Sequence, residues 1–375
     1  MSVDRRKFLK LGGMGVAGVL FVPLVQSCER HIVTPLTEPE PTPFLTPTSQ
    51  FFEQNGGEGA IEGWTQPTYN SEQDWSMQIK QGNTLLATVT WADLMAAAEQ
   101  EEITILKSME CVLQSRIRVT PTGFTGNAYW TGVPLRYFLD QAGMDYSESS
   151  GVRRILLSGA DGFLNNILPS RILQSEENEL VQPLLVYRMN GRPLPPKHGF
   201  PVRLIIQEGF GYKNIKWISE VQSLNFDGDF GTYQEQGFVD DGIMRVNSRS
   251  TDVFEGREIP AGPVMISGFA LSGYAPIEKV EVQIDGGEVQ TAELVPLEEI
   301  QNEVALPPNI RQIGEEAQYP FKAVWTPWRY QWDAPQGIHT VRIRAYDADG
   351  NFQPDVDEDI TDGQNGVAVY TVNAL

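Results

Sequence analysis

The chain is poor in cysteine and in positive charge. It has two cysteines in 375 residues, Cys28 and Cys111. Two thiols cannot build a disulfide framework or a paired Cys-x-x-Cys metal knuckle, and no Cys-x-x-Cys-His segment occurs, so the chain attaches no c-type haem itself. Lys and Arg number 28 against 49 Asp and Glu, a formal net charge of −21. Nucleic-acid binding needs a basic face, so that class of partner is excluded. An acidic surface instead suits a generic exported protein, or one that steers in a basic partner such as a small cytochrome. Long apolar runs are also lacking. The N-terminal run Leu11–Val25 is about 15 residues and contains glycine, where a bilayer-spanning helix needs about 20. Apolar residues still make up 41% of the chain, which supports real cores, and the length predicts about two to three domains.

Residues 1–31 read as an export signal. Asp4-Arg5-Arg6-Lys7-Phe8-Leu9-Lys10 has the twin-arginine pattern ahead of that apolar run. Val25-Gln26-Ser27-Cys28 resembles a lipoprotein processing box, which makes Cys28 a candidate lipidation site and membrane tether. Residues 32–48 are rich in Pro and Thr with no apolar period, a linker. The spacing then predicts a folded domain over 49–247 and a second, all-β domain over 248–375. In the first, Thr90 and Asp93 form a capping box before a helix that presents Trp91, Leu94, Met95 and Ala98 to a core. Leu135, Phe138, Leu139 and Ala142 lie at helical spacing, and Gly143 stands at the C′ position. In the second, Lys279–Ile284 and Thr340–Tyr346 alternate as strands. Asp285-Gly286-Gly287 is a hairpin turn, and Trp325, Trp328 and Trp332 are core anchors. About seven strands suggest an immunoglobulin-like sandwich. Pro296–Ala317 is acidic and reads as an exposed loop. The fold class expected is α+β followed by all-β.

The chemistry concentrates in Pro183–Trp217. Two strand-like runs, Pro183–Met189 and Pro201–Gln207, flank a loop with Asn190-Gly191, Pro193, Pro195, Pro196 and His198-Gly199. Proline fixes φ and glycine lets backbone approach closely, so the loop is preset in shape. It carries the imidazole of His198 and is followed by Arg203, Lys213 and Lys216. A stiff frame with converging cations suits a phosphorylated ligand; a β-hairpin with surface lysines fits the same spacing.

This stretch resembles the central signature of the sulfite oxidase family of molybdenum-cofactor oxidoreductases, in which a run similar to LxxYxMNGxPLPxxHGFPVRL precedes GxxGxxxVKW. The resemblance implies that His198, Arg203 and Lys216, with Lys213, hold a pyranopterin and its phosphate. Asn127–Gly143 is similar to the family's AxWxGVxLxxxLxxAG segment, and the loop Tyr129–Gly132 is expected beside the cofactor. Glu110-Cys111 stands where the family has its metal-ligating cysteine. The resemblance therefore makes Cys111 the ligand of molybdenum. The charge of nearby Arg116 or Arg118 would stabilise a thiolate there, which makes Arg116 a catalytic candidate, while Arg118 reads as a surface charge. A thiolate is a sensible partner for a metal already held by dithiolene sulfurs. Phe51–Gly56 is similar to Phe-Phe-x-Arg-Asn-His, which assigns Phe52 and Asn55 to the cofactor. Asp161, in a turn before Phe163, either faces the pterin or simply makes the turn.

Three positions depart from the family. Gln54 replaces an arginine, Gly56 a histidine, and Phe163 a tyrosine. Each loses a cation or a proton donor from an oxyanion pocket. The expectation is an exported molybdopterin oxidoreductase that transfers an oxygen atom, with sulfite or a related sulfur oxyanion as substrate. Its electrons pass to an external carrier, possible as a cytochrome, and the family's C-terminal domain implies a homodimer. The alternatives are an S- or N-oxide reductase and a non-catalytic lipid-anchored assembly subunit.

Overall fold

Strand-forming residues in alternating or continuous apolar runs dominate the molecule. The computed structural model describes residues 42–114, 122–175, 180–228, 230–303 and 319–375. The twin-arginine signal, Cys28, Arg116 and Arg118 lie outside the described residues. The first unit has strands β1 Ser76–Gln81, β2 Thr84–Thr90, β3 Ile103–Glu110, β4 Thr125–Pro134, β5 Arg154–Gly159, β6 Leu164–Ile167, β7 Leu184–Met189, β8 Arg192–Pro193, β9 Arg203–Ile205 and β10 Ile218–Leu224. Its helices are short: α1 Gly56–Ala60, α2 Trp91–Glu101, α3 Leu135–Gln141 and α4 Ser170–Leu173. One sheet runs β2-β1-β10-β5-β6, and another runs β3-β4-β7-β8 with β9 on β7. The α+β balance expected is thus corrected toward sheet. Strands such as β4 and β7 are buried along most of their length, and the helices are short.

Local signals act where expected. The Thr90 Oγ1 accepts from the Asp93 backbone N–H, and Asp93 in turn accepts from the Thr90 backbone N–H at 2.8 Å. Leu94 is fully buried under α2. Asn190 and Gly191, both at positive φ (50° and 74°), close the β7–β8 hairpin with Met189 opposite Arg192. Two expectations differ. Tyr129–Gly132 is not a loop but lies within β4, paired to β3 on one side and β7 on the other. The end of the Pro/Thr linker is part of the fold: Phe44 is buried, its carbonyl accepts from Asn127 Nδ2 and Trp325 Nε1, and Thr46 bonds Asn127.

The second unit begins at β11 Asn247–Ser250 and continues with β12 Glu258–Ile259, β13 Gly262–Leu271, β14 Ile277–Ile284, β15 Val289–Thr291 and β16 Glu293–Leu294. Helix α5 Leu297–Glu303 follows, then β17 Thr326–Ala334, β18 Gly337–Asp347 and β19 Ala368–Ala374. Sheets β11-β13-β17-β16 and β12-β19-β18-β14-β15 enclose one core of Ile266, Val280, Val282, Trp328, Val341 and Ile343. Asp285 and Gly286 make the expected positive-φ turn. The exposed loop expected from Pro296 instead starts as α5, with Ile300 buried. Trp325 lies outside the sandwich's own core, in the core that both units share: it packs on Phe269 of β13, centroids 4.7 Å apart, and its backbone N–H donates to Ser108 Oγ at 2.7 Å.

Candidate active site

The strands converge on a cavity enclosing roughly 690 Å³ of space open to solvent. The central loop forms one wall. A short 3-10 turn over Pro196–His198 ends at Gly199, whose φ is +106°. A Cβ there would sit 3.0 Å from the Arg203 Cβ and 3.3 Å from Lys216, so glycine is what lets the loop close on both cations. His198 is buried with Phe51 edge-on to its ring, centroids 5.7 Å apart.

Arg203, at the start of β9, is buried. Its Nη1 donates to the His198 carbonyl at 3.0 Å, and its Nη2 donates to the Asn214 carbonyl at 3.1 Å. Its Nε is buried without a partner among the described residues. The guanidinium lies over the Trp130 ring, 5.1 Å from the centroid. Lys216 Nζ donates to the Gln54 carbonyl at 3.1 Å, Asn55 Oδ1 at 2.7 Å and the Lys197 carbonyl at 2.6 Å. Among the described residues, neither cation has a carboxylate in hydrogen-bond contact. Burial therefore dominates. It pushes Arg203 down to about 9 and, with Arg203 nearby, Lys216 down to about 7. Burial first, then Arg203 and Lys216, pushes His198 down to about 4, leaving the imidazole neutral at pH 7. Glu53, Asp161 and Glu58 offset this only in part at Lys216, and three cation-forming side chains gathered in one buried cluster suit an anion.

Cys111 lies across the cavity, immediately after β3, buried, its backbone N–H donating to the Phe124 carbonyl at 2.9 Å. Burial, with a smaller contribution from Glu110, pushes its thiol up to about 11. The group is protonated on its own and needs a bound cation to become a thiolate. Phe52, Gln54, Asn55, Asp161 and Phe163 also face the cavity. Asp161 is held by the Trp64 Nε1–H at 3.0 Å and the Phe163 backbone N–H at 3.1 Å.

Lys213 is not brought into this cavity. Its ammonium is buried behind it, donating to Asn165 Oδ1 at 3.2 Å and the Asn166 carbonyl at 3.0 Å. Sequence reasoning missed Met109, Asn214, Tyr212, Trp217 and Tyr233, which also line the cavity. Trp217 carried a signal only in the structure. It adopts a left-handed backbone, φ 52°, and its Nε1 is buried without a partner among the described residues. Such strain at a cavity wall marks a functional position. Tyr233 stays protonated, because burial and then the neighbouring Cys111 raise its phenol above the usual range.

Residues 63–230 match the family model described as the oxidoreductase molybdopterin binding domain. That stretch is a molybdopterin-binding oxidoreductase domain. The chain's curated relatives include mitochondrial sulfite oxidase of Homo sapiens, 28% identical over 260 residues, and of Rattus norvegicus, 29% over 258. Each alignment covers 62% of this chain and 43% of the relative, so the chain aligns with less than half of those proteins' length. Inducible nitrate reductase [NADH] 2 of Glycine max is 29% identical over 195 residues, 42% of this chain and 21% of that protein. These matches support the sulfite oxidase family for the molybdopterin domain. The crystal structure of the sulfane dehydrogenase SoxCD from Paracoccus pantotrophus superposes with a TM-score of 0.67 at 20% identity. It covers 94% of this chain and 92% of that one, which shows a shared fold.

The cofactor implied is molybdenum bound by molybdopterin, and the residues present fit it. The cluster of His198, Arg203 and Lys216 provides an anion cradle, and the buried Arg203 Nε and Trp217 Nε1 are donors without acceptors among the described residues. Cys111 supplies a soft donor on the same cavity.

Proposed function

We propose that this oxidoreductase transfers an oxygen atom on a small sulfur compound, sulfite or a related sulfur oxyanion, and hands the electrons to an external carrier protein. The observation that carries this is the meeting of the Cys111 thiol and the His198–Arg203–Lys216 cradle on one cavity. When bound, the molybdenum cofactor supplies a two-electron redox cycle coupled to oxygen-atom transfer. The chain's own residues do the rest. Arg203 and Lys216 would neutralise the cofactor's phosphate, His198 would donate an N–H to it, and Phe51 would hold the imidazole plane. Cys111 would hold the metal through its sulfur. Tyr233, kept protonated by burial and by the neighbouring Cys111, lines the same cavity.

Two observations favour a second reading, reduction of S- or N-oxides. Gln54 and Phe163 face the cavity where resemblance expects an arginine and a tyrosine, and a less cationic wall holds a neutral oxide better than an oxyanion. Purified protein is expected to contain about one molybdenum per chain and to oxidise sulfite with an oxidised acceptor. Turnover of a sulfoxide with a reduced donor, and none of sulfite, would move the assignment to the second reading. A protein made with intact cofactor synthesis yet empty of metal would favour a non-catalytic assembly subunit.

We further propose export through the twin-arginine signal to the periplasm or envelope surface, lipidation at Cys28, and homodimerisation through an immunoglobulin-like sandwich. Fractionation, mass analysis of the processed N-terminus and the solution mass test these in turn. The basis for a role of Arg116 is its place four positions after residue 112 in the polar stretch following Cys111.

A further inference from the structure

The metal-ligand strand is held by the other domain. Glu110, the residue before Cys111, is fully buried at the end of β3, and three side chains bond its carboxyl group. Asn247 Nδ2 donates to Oε2 at 2.7 Å, Thr125 Oγ1 donates to Oε2 at 3.3 Å, and Asn365 Nδ2 donates to Oε1 at 3.3 Å. Asn247 opens β11, and Asn365 lies in the loop before β19, so two of the three donors belong to the sandwich unit. Both are buried. Arg249, also on β11, acts electrostatically on Glu110. Its guanidinium presses on the chain segment that returns from Cys111 to β4, since a Cβ on Gly123 would come 2.3 Å from Arg249 Nη1. Within that segment Gln114 completes the frame: its Oε1 accepts from the Phe124 N–H at 2.6 Å, and its Nε2 donates to the Thr122 carbonyl at 3.0 Å.

The first unit needs none of these sandwich contacts to form its sheets, for β3 is already fully paired with β4 through Glu110–Thr125. They act instead on the one residue whose backbone position decides where the Cys111 sulfur points. A buried carboxyl group tied at both oxygens cannot rotate without leaving donors unsatisfied, which costs more than the bonds themselves contribute.

We propose that Asn247 and Asn365 are positioning residues for the metal-ligating thiol, clamping Glu110 so that Cys111 faces the cavity. This rests on Cys111 being the ligand, as proposed above. The sandwich would then be part of the redox centre's outer frame as well as a separate module.

The test uses two readouts, one of them free of metal. In the cofactor-free full chain carrying Cys28→Ser, alkylation of Cys111 by iodoacetamide reports how firmly the buried thiol is held. The Asn247→Ala/Asn365→Ala double variant is expected to react at least about tenfold faster at a temperature well below its melting midpoint. Rates within about twofold of the parent would overturn the clamp. In the loaded protein, the thiolate-to-metal charge-transfer absorption is expected to shift or weaken in the double variant, with bound pterin retained. A merely structural role would lower the melting temperature and leave both readouts unmoved. Should the double variant not fold, Asn247→Ala and Asn365→Ala are measured singly. Each leaves Glu110 with other donors, and each is expected to show part of the acceleration; none in either overturns the proposal. If the thiol is loosened but the parent has no charge-transfer band, the clamp stands and the ligand assignment falls.

Discussion

Replacing Lys216 with methionine separates the two things its charge does. The side chain keeps its length and loses its ammonium. In the folded chain Lys216 is pushed from 10.5 down to about 7, whereas the unfolded chain keeps the ordinary value. Between those two values the unfolded state binds more protons than the native state, so stability rises with pH across that window. From pH 7 to pH 9 one such group contributes about 2 kcal/mol, and partial solvent access reduces this to about 1 kcal/mol. Urea unfolding of the cofactor-free protein at the two pH values should therefore show a slope that is shallower in Lys216→Met by about 1 kcal/mol. Lys107 and Lys213, also depressed, contribute equally to both proteins and cancel in the difference. The bound phosphate reverses the sign. An anion raises the pKa of Lys216, so binding takes up a proton above pH 7 and cofactor affinity should fall as pH rises. Losing one charge-assisted hydrogen bond of about 1.5–3 kcal/mol should weaken retention about 10- to 150-fold. Pterin release during gel filtration, followed by fluorescence, measures it. An unchanged pH slope together with undiminished retention would refute the cradle.

Other perturbations test other walls. Cys111→Ser should abolish turnover and lower metal content, read by elemental analysis, while the cofactor-free fold survives because the two side chains are of similar size. Gln54→Arg places a cation where the cavity lacks one and should tighten inhibition by sulfate, measured as a lower inhibition constant. Gly132→Ala should destabilise by about 3 kcal/mol, because a Cβ would come 2.3 Å from the Leu185 carbonyl oxygen across the β4–β7 ladder; denaturant titration checks it.

Legibility followed the range of the interaction. The hairpin at Asn190-Gly191, the Thr90 cap and the Asp285-Gly286 turn were visible because a few adjacent residues determine them. The cradle of His198, Arg203 and Lys216 was visible because all three lie within one short stretch, the loop, the strand that follows it and the residues just beyond. Lys213 shows where such reading stops. Its position in the chain is three residues from Lys216, yet its ammonium is drawn away by Asn165 and Asn166, 48 and 47 residues distant. Trp217, Tyr233 and Met109 were illegible for the same reason: each looks like core until a cavity opens beside it. Trp325 was placed with its neighbours Trp328 and Trp332 by spacing. Its indole N–H instead donates to a carbonyl 281 residues earlier, a partner that no local pattern reveals. Phe44, at the other end of that bond, hid within a stretch whose composition signals a linker.

The bond between Trp325 and Phe44, together with the parallel pairing of β1 and β10, sets the order in which the polypeptide can be completed. The Phe44 carbonyl can meet Asn127 early, but its second donor, the Trp325 indole, is made 281 residues after it. The edge of β1 that β10 will cover stays open until Ile218–Leu224 has been made. Pairings so far apart in sequence form late and slowly. A chain cut short ahead of Trp325 is therefore expected to be a ready target for proteases.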